Sequence, residues 1–157
     1  MRIVVRDGVR AVRHRAVAAE AGVPLAAATY YFASLDELYV SALQRATRQQ
    51  IALFSSLGCG DLAAFARVLH AWAHEDRGAA IAQYELMFLA MRRSGLRADA
   101  EAWYRALEEA VDTGHHDPRR TRVTALAIDG LLLRMLWLGD PATVEQTEAA
   151  LREIVAR

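Results

Sequence analysis

Residues 12–32 constrain the fold most, because they read as two short helices separated by a tight turn. Apolar residues recur at helical spacing over residues 13–20, and a second helix is predicted over Leu25–Tyr31. Gly22 lies between them, and glycine adopts the left-handed backbone of a helix end without steric cost. Pro24 has a backbone angle suited to the first turn of a new helix. The pattern predicts a helix-turn-helix, although an ordinary helical hairpin fits the same turn.

The residues that follow favour the helix-turn-helix. Ser34 and Glu37 form a capping box, which predicts that a long helix begins at Leu35. The run AVAAEAGVP…TYYFAS..EL, from Ala16 to Leu38, resembles the DNA-binding domain of the TetR family of bacterial repressors. That family carries an IAxxAGVS…YxxFxSKxxL pattern at the same spacing. The resemblance rests on specific motifs over residues 1–45 and on architecture alone beyond them.

Composition and periodicity predict an all-α protein of about nine helices. The 157 residues are 54% hydrophobic with few glycines and prolines, and no sustained alternating run indicates a sheet. The resemblance divides the chain into a helix-turn-helix DNA-binding domain (1–45) and a ligand-binding and dimerisation domain (46–157). The predicted helices cover residues 1–8 (the end of a helix), 13–20, 25–31, 35–56, 62–76, 80–93, 97–113, 119–138 and 142–157.

Charge is unevenly distributed, although the net charge is zero. Residues 1–34 carry five arginines against Asp7 and Glu20, which gives +3 and leaves −3 on the remainder. A basic end on a neutral protein is typical of a DNA-reading head. In the family a full first helix precedes this point, whereas here we expect only its last turns to be present.

No segment of the sequence indicates export or a membrane span. The longest apolar stretch, residues 131–138, is interrupted by Arg134 and is too short to cross a bilayer. No signal peptide is evident at residues 3–5, and Cys59 is the single cysteine. We therefore expect a cytoplasmic protein with no membrane partner.

Polar and aromatic side chains near the turn are the candidate DNA contacts. Thr29, Tyr30 and Tyr31 lie on the predicted recognition helix, where a hydroxyl can bind phosphate and a ring can pack on sugar or a thymine methyl. Arg13 and Arg15 open the preceding helix, where backbone N–H groups favour phosphate. The alternative is that one tyrosine belongs to the core.

Large apolar side chains of the three middle helices are the candidate ligand contacts. In the family resembled, these helices enclose the inducer, and aromatics with methionines suit adaptable apolar pockets. Ordinary core packing is the alternative for each. The seven side chains are Trp72, Tyr84, Met87, Phe88, Met91, Trp103 and Tyr104, and ligand contact is assigned to the first six.

A helix over residues 119–138 is the candidate dimer interface, because it is apolar nearly all round. Gly130 costs about 1 kcal/mol in a helix interior and is best explained by close helix approach. With the last helix, it predicts a two-fold four-helix interface like that of the TetR family. Interface positions are assigned to Asp129, Gly130, Leu133 and Trp137, and Asp129 and Arg134 are a candidate ion pair.

The resemblance therefore implies a homodimeric, ligand-responsive repressor of a near-palindromic operator, released by a small apolar effector. Two alternatives stay open. Leu35, which replaces a typical lysine, and the short first helix suit a ligand-binding protein that has lost DNA binding. His70 and His74, four residues apart, suit a metal-binding or enzymatic bundle. No catalytic motif is evident, so we expect no enzyme activity, no cofactor and no bound metal.

Overall fold

The computed structural model describes residues 2–58, 60–92, 96–112, 114, 117–139 and 142–156. These residues form nine α-helices, one 3₁₀ turn and no strand, which confirms the all-α prediction. Cys59 and the helix ends predicted at residues 93, 113 and 157 lie outside them. The helices are α1 (Arg2–Asp7), α2 (His14–Ala21), α3 (Leu25–Tyr31), α4 (Leu35–Ser56), α5 (Leu62–His74), α6 (Arg77–Ala90), α7 (Arg97–Val111), α8 (Pro118–Leu138) and α9 (Val144–Ala156), with the 3₁₀ turn at Val9–Ala11.

Backbone conformation at two glycines sets the boundaries of the helix-turn-helix. Gly8, which ends α1, has φ +78°, and Gly22, which ends α2, has φ 67° and ψ 31°. Both φ angles are positive, a range that only glycine adopts readily. The backbone N–H of Gly22 donates back to the carbonyls of Ala18 and Ala19, and Pro24 precedes the first residue of α3. The predicted helix-turn-helix is therefore formed.

Helix α4 begins where the capping box predicts. The Ser34 hydroxyl accepts the backbone N–H of Glu37 at 3.2 Å. In return, the Glu37 carboxylate accepts the N–H of Ala33 at 2.7 Å, one residue before the usual position. From there α4 runs without interruption through residue 45, the predicted domain boundary.

A small apolar cluster joins the N-terminal helices to α6. Ile3, Val4 and Val12 are buried together with Ala82 of α6. Gly78, one turn earlier in α6, lies against Val5, since a Cβ built on Gly78 would be 3.1 Å from its Cγ1 atom. The helix-turn-helix is thus packed against α6 as well as extended by α4.

The larger core lies among helices α4, α5, α7, α8 and α9. Helix α4 packs chiefly on α7, and α5 packs chiefly on α9. Burial of such large apolar side chains supplies most of the driving force for folding. The most deeply buried members include Phe54, Phe65, Leu69, Leu107, Ile128, Met135 and Leu151.

The predicted boundaries between α5 and α6 and at the start of α9 are wrong. Residues 77–78 were expected to end α5, but they begin α6, because α5 already ends at His74 and Asp76 is the residue before the new helix. The last helix starts at Val144 instead of residue 142. There the Thr143 hydroxyl accepts the N–H of Gln146 at 3.3 Å, and the Gln146 side chain accepts the N–H of Thr143 at 2.8 Å. This second capping box fixes the start of α9.

Candidate DNA-binding and ligand-binding sites

Helix α3 turns its two tyrosines away from the protein. The side chains of Tyr30 and Tyr31 are 84% and 74% exposed, while Ala28 of the same helix is buried. The two rings meet edge to face with centroids 5.3 Å apart. Thr29 is also exposed, but its hydroxyl donates to the carbonyls of Leu25 and Ala26. Its methyl group and free lone pair therefore remain for a partner.

The two predicted arginines at the start of α2 differ in what they contact. The guanidinium of Arg13 donates to the carbonyls of Arg10 and Val12, each at 2.8 Å, so it folds over the turn before α2. Arg15 is exposed and makes no ion pair or side-chain hydrogen bond with any residue that the structure describes. Arg15 is therefore the freer of the two cations.

Part of the positive charge of the first 34 residues is neutralised locally. Arg2 and Arg6 both pair with Glu20, at 2.5 and 3.2 Å, and Arg6 also pairs with Asp7 at 2.9 Å. The hydrogen bonds from Arg2 and Arg6 lower the pKa of the Glu20 carboxyl below its usual value. The excess cations are therefore Arg10, Arg13 and Arg15, and all three lie near the start of α2.

A residue that sequence reasoning missed joins α2 to the end of α3. The Nε2 atom of His14 lies 2.8 Å from the carbonyl oxygen of Phe32, which fits a tautomer that donates from this nitrogen. The contact links the first residue of α2 to the residue after α3. No spacing rule relates residues 14 and 32, so only the fold reveals it.

An apolar cavity of about 560 Å³ lies between α4, α6 and α7. This volume is within the range of small-molecule sites, which are mostly apolar with a few polar groups. Its lining consists of Leu43, Thr47, Met87, Met91, Arg92, Leu96, Arg97, Asp99, Ala100, Trp103 and Tyr104.

Three of the six predicted ligand contacts line this cavity, and the other three lie outside it. Met87, Met91 and Trp103 are in its wall. Trp72 lines a second cavity of about 350 Å³ between α4, α5 and α6. Phe88 is 54% exposed on α6, and its ring centroid is 6.4 Å from that of Tyr84.

Polar side chains hold the cavity wall in place. The indole N–H of Trp103 donates to Gln50 Oε1 at 2.6 Å, and the amide of Gln83 donates to the same oxygen. The amide of Gln44 donates to Asp99 Oδ2 at 3.0 Å. Gln44 and Gln50 lie in the polar run QRATRQQ of α4, where nothing in the sequence distinguishes them from their neighbours, so the sequence alone does not predict these partners.

The sequence predicts that Tyr84 contacts the ligand and that Asp129 lies in the dimer interface, but in the structure these two residues contact each other within one chain. The Tyr84 hydroxyl donates to Asp129 Oδ1 at 2.7 Å, and the Tyr104 hydroxyl donates to Oδ2 at 3.3 Å. Burial and the Asp129 charge raise the pKa of both phenols above the usual value. Asp129 thereby links α6, α7 and α8.

An apolar stripe remains exposed on α8. Gly130 and Leu133 are exposed there, and Trp137 is 82% exposed. A Cβ built on Gly130 would meet no described atom within 4 Å, so none of the described helices of the same chain requires a glycine at that position. The rest of the stripe is Val123, Leu126 and Leu138.

The two histidines of α5 lie close together, without a third metal-binding side chain among the described residues. The rings of His70 and His74 are 4.4 Å apart, and the Nε2 atom of His74 is buried with no hydrogen-bond partner among the described residues. Within the part of the chain that the structure describes, no three histidine, cysteine or acidic side chains are grouped to hold a metal ion.

Comparisons with known proteins find one matching protein family and several similar solved structures. The family described as tetracyclin repressor-like, C-terminal domain, matches residues 61–157. The crystal structure of multidrug binding protein EbrR complexed with ethidium is 34% identical, with a TM-score of 0.77, and the match covers 98% of this chain and 92% of that one. The EbrR complex with proflavin is 33% identical, with a TM-score of 0.73 and coverage of 98% and 93%.

A third solved structure, the TetR family member SCO1917 from Streptomyces coelicolor A3, is 32% identical with a TM-score of 0.72. The match covers 98% of this chain and 91% of that one. No curated protein matches the chain. None of the described helices combines the length and apolarity that crossing a bilayer requires.

Proposed function

The chain belongs to the TetR family of transcriptional regulators, and from that membership we propose that it is a cytoplasmic repressor. It would bind a near-palindromic operator as a homodimer and leave it when a small apolar effector binds. The exposure of the adjacent tyrosines of α3 carries the DNA-binding part, because water-facing aromatic rings on a short helix have no role in the core.

Helix α3 would enter the major groove, with Thr29, Tyr30 and Tyr31 facing DNA. A tyrosine hydroxyl reaches phosphate, and a ring or a threonine methyl packs against a thymine methyl. Arg13 and Arg15 lie at the start of α2, on the part of the head with the most uncompensated positive charge. Phosphate contacts from these cations would supply salt-dependent affinity.

A second copy of the chain would cover the apolar stripe of α8. Two α8 helices packed side by side bury Leu133 and Trp137, and Gly130 permits their backbones to approach closely. Such a dimer presents two α3 helices, and a two-fold operator requires these to be about 34–36 Å apart.

The effector would occupy the 560 Å³ cavity. EbrR binds ethidium and proflavin, which are flat aromatic compounds, and the methionine and aromatic lining here suits the same class. Leu43 and Thr47 in its wall belong to α4, the helix that continues into the DNA-binding head. An effector that binds one head arrangement better than the other shifts the population away from the DNA-bound form.

The test is a titration of purified protein with operator DNA, taken from the region upstream of its own gene, at several salt concentrations. Arg15→Ala should weaken binding and reduce the slope of log affinity against log salt by about 1, the effect of one lost phosphate contact. Tyr30→Phe should weaken binding with little change in the slope. Arg67→Ala, which removes an exposed arginine from α5, is the matched control and should change neither quantity.

Two results would contradict the proposal. If Arg15→Ala and Tyr30→Phe both bind as wild type does, the DNA contacts are misassigned. If wild type binds proflavin but no promoter fragment, the chain is a ligand-binding protein without a DNA-binding role, the alternative that Leu35 suggests.

A further inference from the structure

Asp99 is the one acidic residue in the lining of the 560 Å³ cavity, among the residues that the structure describes. It is half-buried in the first turn of α7, where the helix dipole stabilises a negative charge. Gln44 donates to Oδ2, which fixes the carboxylate and leaves Oδ1 without a hydrogen bond from the described residues. A carboxylate that is oriented and only half satisfied is suited to receive a cation.

The aromatic residues beside Asp99 suit the same kind of ligand. Trp103 lies one turn further along α7, and its ring meets that of Tyr104 edge to face with centroids 4.9 Å apart. The electron-rich faces of tryptophan and tyrosine attract a cation that lies within about 6 Å. Met87 and Met91 add polarizable surface to the same lining.

The two arginines of the lining do not cancel this preference. Arg97 pairs with Glu101 at 3.1 Å, and the side chains are 84% and 55% exposed, so the pair is solvated at the rim. Arg92 is exposed as well. Water and salt screen charges at the rim, whereas a charge inside the cavity acts on a ligand through fewer solvent molecules.

We infer that the effector is a flat aromatic cation whose positive charge is received by Asp99. This inference rests on the proposed effector role of the cavity, but it specifies a charge that an apolar cavity alone does not require. Gln44 acts as a positioning residue, because it holds the carboxylate without lining the cavity.

Two probes that share one ring system test the inference. Proflavin is a cation at mildly alkaline pH, and acridine has the same three fused rings without the charge. Binding is followed by fluorescence with no DNA present, so the outcome does not depend on operator recognition. Asp99→Asn should weaken proflavin binding about tenfold, as the loss of one charge-assisted contact does, and should leave acridine binding within about twofold.

Glu101→Gln is the matched control, because it removes the same charge from the same helix but from outside the cavity lining. It should leave proflavin affinity within about twofold, since exposed charges are screened. Gln44→Leu should give a loss between those of the control and Asp99→Asn. Equal effects of Asp99→Asn on both probes would overturn the inference.

If Asp99→Asn does not fold, the inference can be tested on the wild-type protein by comparing its affinities for the two probes. Wild type should bind proflavin at least about tenfold more tightly than acridine, and equal affinities would overturn the inference. A different result would contradict the proposed repressor function: the protein does not bind the operator, or a bound probe does not release the protein from it.

Discussion

The carboxylate of Glu85 accepts the backbone N–H of Val9 at 2.9 Å, which ties α6 to the turn that follows α1. The contact is partly buried and spans 76 residues of sequence. Met87, two residues further along α6, lines the cavity. One short stretch of α6 therefore contacts both the proposed effector site and the proposed DNA-binding head.

We expect Glu85→Leu to destabilise the protein by about 1–3 kcal/mol, because it leaves the partly buried N–H of Val9 without an acceptor. Glu85→Gln keeps an acceptor oxygen and should lose less than half as much. Urea unfolding measures both. Glu85→Leu should also reduce the effect of bound proflavin on operator affinity, while proflavin affinity without DNA stays unchanged. Equal stabilities of the two variants would show that the contact is not energetically important.

His14→Ala removes the bond between α2 and the residue after α3. We expect a loss of about 0.5–1.5 kcal/mol in unfolding free energy and weaker operator binding, because the recognition helix is less firmly oriented. The salt dependence of operator binding should not change, since His14 is bonded to Phe32 and supplies no phosphate contact. Arg15→Ala should show the opposite pattern. A changed salt slope in His14→Ala would mean that this histidine contacts DNA directly.

Gly22→Ala tests the backbone strain at the turn alone, because a Cβ at this position meets no described atom within 4 Å. Its φ of 67° should cost an alanine about 1–2 kcal/mol of unfolding free energy. Gly22→Asn, which tolerates this conformation better, should cost less. Thermal unfolding of the pair is the measurement, and an alanine variant as stable as wild type would contradict it.

Gly130→Ala should affect the monomer and the dimer in opposite directions. Alanine raises the helix stability of α8 by about 1 kcal/mol, and no described atom of the same chain obstructs it. If a partner α8 lies against Gly130, the added methyl weakens the dimer. Sedimentation velocity should then detect monomer at protein concentrations where wild type is still dimeric. Trp137→Ser should also dissociate the dimer, whereas a dimer unaffected by either change would place the interface elsewhere.

The tyrosines bound to Asp129 predict a loss of stability in alkali. The pKa of Tyr84 is raised in the folded state, first by burial and then by the Asp129 charge. Its stabilising contribution is therefore present below the ordinary tyrosine pKa of about 10 and is lost as pH rises through the folded value. Unfolding free energy should fall above pH ~10, and less so in Tyr84→Phe. That variant should lose about 1–3 kcal/mol at neutral pH, since Asp129 loses its closer donor.

Local signals in the sequence were sufficient for the helix-turn-helix. The first residues of α3 and α4 were predicted correctly, because Pro24 and Ser34 act on the backbone beside them. The start of α6 was missed for the opposite reason. A glycine at residue 78 indicates a helix end by local rules, but here it gives room for Val5 of α1, a contact between distant residues.

For the candidate sites too, local sequence signals predict exposure but not contacts between distant residues. Helical periodicity predicts that Ala28 faces inward and that Tyr30 or Tyr31 faces outward, and in the structure both tyrosines are exposed. Periodicity does not say which neighbour an inward face meets. Asp129 was therefore assigned to the dimer on its helix position, although two tyrosines from other helices bond to it, and Asp99 was not assigned at all.

The 22 residues of α4 make it a rigid rod about 33 Å long. Phe54 near its far end is almost completely buried and would serve as a pivot, whereas Leu43 and Thr47 lie about midway to the first turn. If α4 turns about Phe54, a sideways displacement of 1 Å at the cavity would become roughly 2 Å at Leu35, close to the proposed recognition helix. The proposed effector would therefore need to move its own surroundings only slightly to disturb the alignment of two such helices with successive grooves in the proposed dimer.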